Sequence, residues 1–280
     1  DMKNIVAILL IVLAAGFANS RSVCGDSSAQ YEPVDSAYAI ALHDSASVCY
    51  NSKDYVGAIA FEKKAAGVWK AAVGKINPTY VTLMDNLAYF LSLQSDYAEA
   101  IACQAEAIGI AAKLYGQDSG RYASLLNSLA LYNNAAGNYA GAAEAGARVA
   151  EIYGKVLGAD NPDYLESLLH LAEYKANLGD YHTALSVGEQ ALDICENSQK
   201  DNGVGYMTAL NNLSNYNYYV GNYRKSIELG EKALDVCRRL FGENNMYFIA
   251  SLSNMASRYG AIGSYRKAVD LATGVVEAYR

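Results

Sequence analysis

Apolar side chains recur every three or four positions along nearly the whole chain. Leu168, Leu171 and Ala172 form one such stripe, and Leu210 and Leu213 form another at the equivalent place further along. A spacing of three to four residues places side chains on one face of an α-helix, whereas a half-buried strand would alternate every second residue. The pattern therefore predicts a series of amphipathic helices and an all-α fold.

The helical segments belong to a repeat with a period of 42 residues. Six tyrosines stand at this spacing: Tyr55, Tyr97, Tyr139, Tyr181, Tyr223 and Tyr265. A second aromatic ladder lies seventeen residues before the first: Tyr38, Tyr80, Tyr122, Tyr164, Tyr206 and Phe248. We expect both ladders to be packing residues with a hydroxyl at the rim. The chain is thus predicted to hold six repeats, each with a first helix, A, and a second helix, B, that begins at the first-ladder tyrosine.

The residues between the two helices of each repeat indicate a tight hairpin. Each first-ladder tyrosine follows a residue suited to an N-cap: Asp54, Asp96, Asn138, Asp180, Asn222 and Ser264. Glycine, which adopts a left-handed backbone without strain, precedes four of these caps: Gly137, Gly179, Gly221 and Gly263. A small residue lies three positions into each helix B: Ala58, Ala100, Ala142, Ala184, Ser226 and Ala268. These small residues predict a close approach of helices A and B.

The turns between repeats have a pattern of their own. Glycine occupies the same position in four of them: Gly74, Gly116, Gly158 and Gly242. Lys200 interrupts this column, so the fourth inter-repeat turn should differ. Pro78 and Pro162 follow asparagine at the predicted start of helix A, where the missing N–H of proline costs nothing.

The segment Leu157–Tyr174, continued by Leu178-Gly-Asp-Tyr-His-Thr-Ala, resembles the 42-residue tetratricopeptide repeat of the kinesin light chain type. The resemblance covers about residues 34 to 280. HEAT repeats also have periods near 40, but the Gly-Asp/Asn-Tyr-x-x-Ala hairpin turn favours the tetratricopeptide interpretation. The resemblance implies a right-handed α-solenoid superhelix of six antiparallel helical hairpins.

In that family, helix A of every repeat lines a concave groove that holds a peptide, and helix-A asparagines grip the peptide backbone. The resemblance, together with a helical wheel, gives these candidate groove residues: Asn86, Tyr89, Asn127, His170, Glu173, Asn177, Asn211, Asn212, Asn215, Tyr219 and Asn254. Amides donate and accept, so they can pair with any main chain. Leu169 with His170, and His43 with Asp44, interrupt the column. The alternative is that these residues are merely the solvent-facing side of amphipathic helices.

Composition and motifs argue against other classes of function. The chain has 22 basic and 29 acidic side chains, and a net charge of -7 offers no excess of cations for a nucleic-acid partner. No phosphate loop, nucleophile elbow, zinc-protease motif or EF-hand occurs, so we expect neither catalysis nor a cofactor. His43, His170 and His182 lack metal-ligand spacing. The five cysteines include no C-x-x-C pair, and most of them are expected to be packing residues.

The first twenty residues have the outline of a signal peptide. Lys3 precedes the apolar run from Ile5 to Ala15, which is shorter than a membrane span, and Ala18-Asn19-Ser20 fits a small-x-small cleavage site. We therefore expect a signal peptide at 1–20, a linker at 21–33 and the repeat domain at 34–280. The protein is expected to be bacterial and exported to the periplasm or the extracellular space, with no stable membrane span after cleavage.

Three functions fit this sequence. The leading hypothesis is a scaffold that binds a protein or peptide partner in a groove lined by helix A. A second is the sensory or docking arm of a larger protein that continues beyond residue 280. A third is a structural spacer that self-associates through its last repeat, where Val275 and Val276 have no polar capping helix after them.

Overall fold

The computed structural model describes residues 32–197 and 203–278, and these ranges contain twelve α-helices and no strand. The predicted signal peptide, the predicted linker up to residue 31, Cys24 and Lys200 lie outside the described residues. The helices are α1 (Glu32–Asn51), α2 (Tyr55–Ala72), α3 (Pro78–Leu93), α4 (Tyr97–Tyr115), α5 (Gly120–Ala135), α6 (Tyr139–Val156), α7 (Pro162–Asn177), α8 (Tyr181–Asn197), α9 (Val204–Tyr219), α10 (Tyr223–Phe241), α11 (Met246–Ala261) and α12 (Tyr265–Ala278).

The helices form two compact units, one within residues 1–116 and one within residues 117–280. The first unit contains α1–α4 and the second contains α5–α12. Within each unit, every odd-numbered helix pairs with the helix that follows it, and consecutive hairpins pack against each other. In the second unit, α7 also contacts α9, which belongs to the next repeat. This arrangement confirms the predicted all-α helical-repeat solenoid class.

Four of the predicted N-caps form their hydrogen bonds, at Asp54, Asp96, Asn138 and Asp180. Asp54 Oδ1 accepts from Gly57 N at 3.0 Å, and Asp180 Oδ1 accepts from Thr183 N at 3.2 Å. Asn222 occupies the N-cap position of α10 but makes no side-chain cap bond. Its amide donates to Asn217 Oδ1 at 3.4 Å instead, so the prediction of a capping bond was wrong at this position.

All six hairpin turns contain a residue with a left-handed backbone, and in two of them this residue is not glycine. The four predicted hairpin glycines have φ between +76° and +87°. In the first two repeats the same position holds Lys53 and Ser95, with φ of +63° and +61°. The turn geometry is therefore a property of the repeat, and two side chains adopt it at a steric cost.

The core lies between the A and B helices, as the apolar stripes predict. Leu168, Leu171 and Ala172 of α7 are buried, as are Leu210 and Leu213 of α9. The small helix-B positions are fully buried in five repeats, and Ala268 in the sixth is half-buried. Three cysteines are also buried, which confirms their packing role: Cys103, Cys195 and Cys237.

The two aromatic ladders differ in burial. In the second ladder, Tyr80 and Phe248 are buried and the other members are half-buried. In the first ladder, Tyr139 and Tyr223 are just over one third exposed. Tyr265 is 70% exposed, because no residue of α12 within 265–278 is buried. The packing prediction is wrong for Tyr265.

Candidate functional site

The eleven candidate groove residues all lie on A helices, and none of them is buried. Six are half-buried: Asn86, Asn127, His170, Asn211, Asn212 and Asn215. Five are exposed: Tyr89, Glu173, Asn177, Tyr219 and Asn254. All eleven therefore lie outside the buried core, and their role in a groove stays a prediction.

In the first unit, the candidates already have internal partners. Glu62 of α2 is fully buried, and its carboxylate accepts a hydrogen bond from His43 Nδ1 at 3.0 Å. Asn86 of α3 also hydrogen-bonds this carboxylate. Burial raises the pKa of Glu62, and these hydrogen bonds oppose that rise. The Tyr89 hydroxyl lies 3.1 Å from the Tyr50 hydroxyl. The Asn86 side chain therefore serves the interior of the first unit.

In the second unit, three candidates come together around one cavity. His170 and Glu173 of α7 and Asn212 of α9 line a cavity of about 410 Å³. We call this space the α7–α9 cleft. Its remaining lining residues are Pro162, Leu165, Glu166, Leu169, Val204, Gly205 and Thr208. Apolar walls with a few convergent polar groups are the usual composition of a binding site.

The α7 side of the cleft is a single stripe of side chains. Glu166, His170 and Glu173 stand at i, i+4 and i+7, so they lie on one face of the helix. The His170 ring stacks on Tyr174, with ring centres 6.0 Å apart. His170 Nδ1 is buried and has no hydrogen-bond partner within the described residues.

Tyr174 fixes the position of α7 beneath this stripe. The Tyr174 ring is buried over Gly146 of α6, where an added Cβ would lie 2.9 Å from the ring. Burial raises the pKa of Tyr174, and the charges of Glu173 and Glu166 raise it further, so the phenol stays neutral. The close approach at Gly146 thus sets how far α7 stands from α6.

A buried polar network connects α9, α10 and α11. Arg258 of α11 is 3% exposed and donates from Nε to Ser226 Oγ at 2.9 Å and from Nη2 to Asn215 Oδ1 at 2.5 Å. Ser214 and Ser226 each donate to the other's backbone carbonyl, at 2.5 and 2.6 Å. Burial lowers the pKa of Arg258. The buried Arg258 guanidinium therefore fixes the position of the Asn215 amide.

Sequence reasoning missed this network, although the repeat alignment contained its signal. Ser214, Ser226 and Arg258 take the places that Ala172, Ala184 and Tyr216 occupy one repeat earlier. Three simultaneous changes from apolar to polar at buried positions indicate a hydrogen-bonded cluster, because each polar group alone would be costly to bury.

The remaining candidates are distributed along the second unit. Asn177 Nδ2 donates to Asn134 Oδ1 at 2.9 Å, and Tyr219 stacks on Tyr181 with centres 5.0 Å apart. Asn127, Asn211 and Asn254 keep accessible positions on α5, α9 and α11. The structure therefore groups His170, Glu173 and Asn212 in one cleft and gives several of the other candidates internal partners.

Two further observations limit the chemistry of the described residues. Among them, no group of three or more His, Cys, Asp or Glu side chains is placed to hold a metal ion. No helix in these ranges has the length and apolar content needed to cross a membrane.

Comparison with solved structures gives the same architecture. The chain matches a protein described as a kinesin light chain from Podosopora anserina, with nearly identical TPR-like repeats, at 18% identity and a TM-score of 0.66, covering 73% of this chain and 97% of that one. BtubC (BKLC) from P. vanneervenii matches at 18% identity and a TM-score of 0.64, covering 85% and 91%. A tetratricopeptide repeat protein from Parabacteroides merdae matches at 18% and 0.65, covering 86% and 79%. At this identity, the likeness shows the fold alone.

Sequence comparison supplies the family. No curated protein sequence matches the chain. The family model described as "Tetratricopeptide repeat" matches residues 79–155, 122–197 and 205–280, which together span more than half of the sequence. These matches cover both the α7–α9 cleft and the polar network of Arg258. The chain belongs to the tetratricopeptide repeat family.

Proposed function

We propose that this protein is a scaffold that binds a polypeptide partner on the exposed side of its A helices. Tetratricopeptide repeats generally mediate protein–protein interactions, and stacked repeats present extended binding surfaces. The α7–α9 cleft is the observation that carries the proposal. It combines apolar walls at Leu165, Leu169 and Val204 with the accessible amide of Asn212. Such walls can hold partner side chains while amides pair with its main chain.

A photo-crosslinking experiment tests this proposal. Peptides are selected from a random dodecapeptide display library on the chain from residue 21 onwards. Benzoylphenylalanine then replaces either Thr208 in the cleft or Glu189, which is exposed on α8. We expect a selected peptide to crosslink from position 208 and not from position 189. Failure to select any peptide, or crosslinking only from position 189, would contradict the proposal.

Export to the periplasm or the extracellular space is also proposed, on the basis of the N-terminal sequence. Lys3, the apolar run from Ile5 to Ala15 and the Ala18-Asn19-Ser20 site support it. Expression of the full chain in a bacterium, followed by mass spectrometry of the N-terminus, tests it. A mature protein that begins at Arg21 in the periplasmic fraction is the expected result, and retention of the leader in the cytosol would refute export.

Self-association is a second proposal, favoured by the surface of α12. Tyr265, Val269 and Val276 are all more than half exposed on this helix. Apolar side chains exposed together are candidates for a protein interface. Light scattering should show dimers that Val269→Lys with Val276→Lys dissociates, and a monomer at high concentration would exclude the idea. A role as the docking arm of a larger protein stays a prediction.

A further inference from the structure

The α7 stripe of the cleft carries two carboxylates that no other repeat has. The positions equivalent to Glu166 hold Ile40, Thr82, Ser124, Thr208 and Ala250. The positions equivalent to Glu173 hold Ser47, Tyr89, Leu131, Asn215 and Ser257. None of these ten residues is charged. The acid pair is therefore a feature of the fourth repeat alone, not a consequence of the solenoid.

Neither carboxylate of this pair has an ion-pair partner in the described part of the chain. Glu166 and Glu173 are exposed, and neither forms an ion pair among the described residues. Two exposed acids on B helices do form such pairs: Glu151 pairs with Arg148 and Lys155 at 2.7 and 2.5 Å, and Glu228 pairs with two lysines. No lysine or arginine lines the cleft. The described lining therefore carries net negative charge, and a recess with apolar walls concentrates the resulting potential.

The apolar part of the cleft complements a long basic side chain. Leu165 and Leu169 lie on α7, and Val204 lies on the α9 side. A lysine or arginine packs its methylene stem on apolar surface while its charged head reaches outward. Here, a stem on these walls would bring the head to a glutamate at the cleft edge.

The spacing of the two glutamates suits an extended partner. Seven helical residues separate the two positions by about 10 Å along the α7 axis. In a polyproline II segment, residues three apart lie on one side and about 9 Å from each other. Two basic side chains at this spacing could each meet one carboxylate.

We propose that the α7–α9 cleft selects a partner segment that presents lysine or arginine side chains to Glu166 and Glu173. This inference rests on the proposed scaffold function and gives the chemistry of its partner. It assigns a specificity role to Glu166, which the sequence patterns did not single out. It also gives the fourth repeat, where the asparagine column is interrupted, a role in recognition.

The test compares peptide selections on three forms of the chain: the wild type, Glu166→Gln with Glu173→Gln, and Glu144→Gln with Glu189→Gln. The control pair removes the same charge from exposed, unpaired positions of α6 and α8. We expect lysine or arginine to be enriched in peptides from the wild type and the control, and not from the cleft variant. A selected peptide should bind the cleft variant about tenfold more weakly, the sum of two surface ion pairs.

The outcomes separate the two proposals. Wild-type peptides without enriched basic residues, or peptides that bind all three forms equally, would overturn the cleft inference and leave the scaffold function intact. The absence of any selected peptide would instead count against the scaffold function. Circular dichroism of each variant confirms that the helices are retained, so that lost binding is not lost folding.

Discussion

Lys53 and Ser95 hold a left-handed backbone that the other hairpins give to glycine. A residue with a Cβ is strained in this region by about 1–2 kcal/mol. Glycine avoids the strain but loses more chain entropy on folding, which costs about 0.5–1 kcal/mol. We therefore predict that Lys53→Gly and Ser95→Gly each raise the free energy of unfolding by about 0.5–1 kcal/mol in urea titrations. Lys53→Ala is the matched control, because it shortens the side chain but keeps Cβ. An equal gain from alanine would show that the backbone is not the cause.

Glu62 makes stability depend on pH in a direction that its burial sets. The pKa of Glu62 is raised in the folded protein, so the folded chain binds this proton more tightly than the unfolded chain does. Protonated Glu62 therefore adds to the free energy of unfolding at low pH, and this stabilisation is lost as pH rises above the ordinary pKa of 4.5. Glu62→Gln removes the titration, and Gln104 occupies the same place one repeat later. The variant should gain stability relative to the wild type between pH 4 and pH 7, measured by urea unfolding. A difference that is constant across this range would contradict the assignment.

At the residue scale, the sequence predicts the features that depend only on residues close together in the chain. The cap at Asp54 and the left-handed turn at Gly137 follow from side-chain length and the missing Cβ, and both are present. Asn222 makes no cap bond, although Asn138 makes the same contact with the asparagine five residues before it and still caps its helix, so residue type alone does not predict this difference. The burial of Arg258 was not predicted, because its hydrogen-bond acceptors lie on two other helices and the sequence of α11 does not indicate them.

Helix spacing in the second unit depends on a glycine that sequence patterns did not identify. Gly146→Ala would place Cβ 2.9 Å from the buried Tyr174 ring, and we predict a loss of about 1–3 kcal/mol because the ring or α6 would have to shift within a packed core. Gly109→Ala, inside α4 with nothing within 4 Å, should instead stabilise the chain by about 0.5–1 kcal/mol. Denaturation of both variants measures the contrast. Similar effects at the two positions would refute the packing argument.

At the element scale, periodicity predicts the helices well and their mutual spacing poorly. The 42-residue period predicts every helix pair, because almost every repeat has its own cap, stop and apolar stripe. The α7–α9 cleft could not be predicted in the same way. Leu169 was an interruption of the asparagine column in the sequence, and only the contact of α7 with α9 shows that it forms a wall.

At the scale of the whole molecule, three of the four cysteines among the described residues are buried thiols. Burial, together with nearby carboxylates, raises the pKa of Cys103 to about 11, and burial raises the pKa of Cys237. Burial and the charge of Asp54 raise the pKa of Cys49 as well, so the expected order follows access of the reagent: iodoacetamide at pH 8 should label half-buried Cys49 before either of these residues. Peptide mapping by mass spectrometry measures the order. Rapid labelling of Cys103 in the folded chain would contradict it, whereas labelling in guanidinium should be uniform.

The Ser214–Ser226–Arg258 network also restricts how such a chain can grow. Repeat proteins lengthen by duplicating whole units, which is harmless when every interface is alike. A second copy of the sixth repeat would bring its arginine against Ala256 and Ala268, where the two serine hydroxyls are missing. A guanidinium buried there without an acceptor for Nε would cost about 1–3 kcal/mol or more. The fifth and sixth repeats are therefore a fixed pair, and insertions of further units are expected elsewhere in the array.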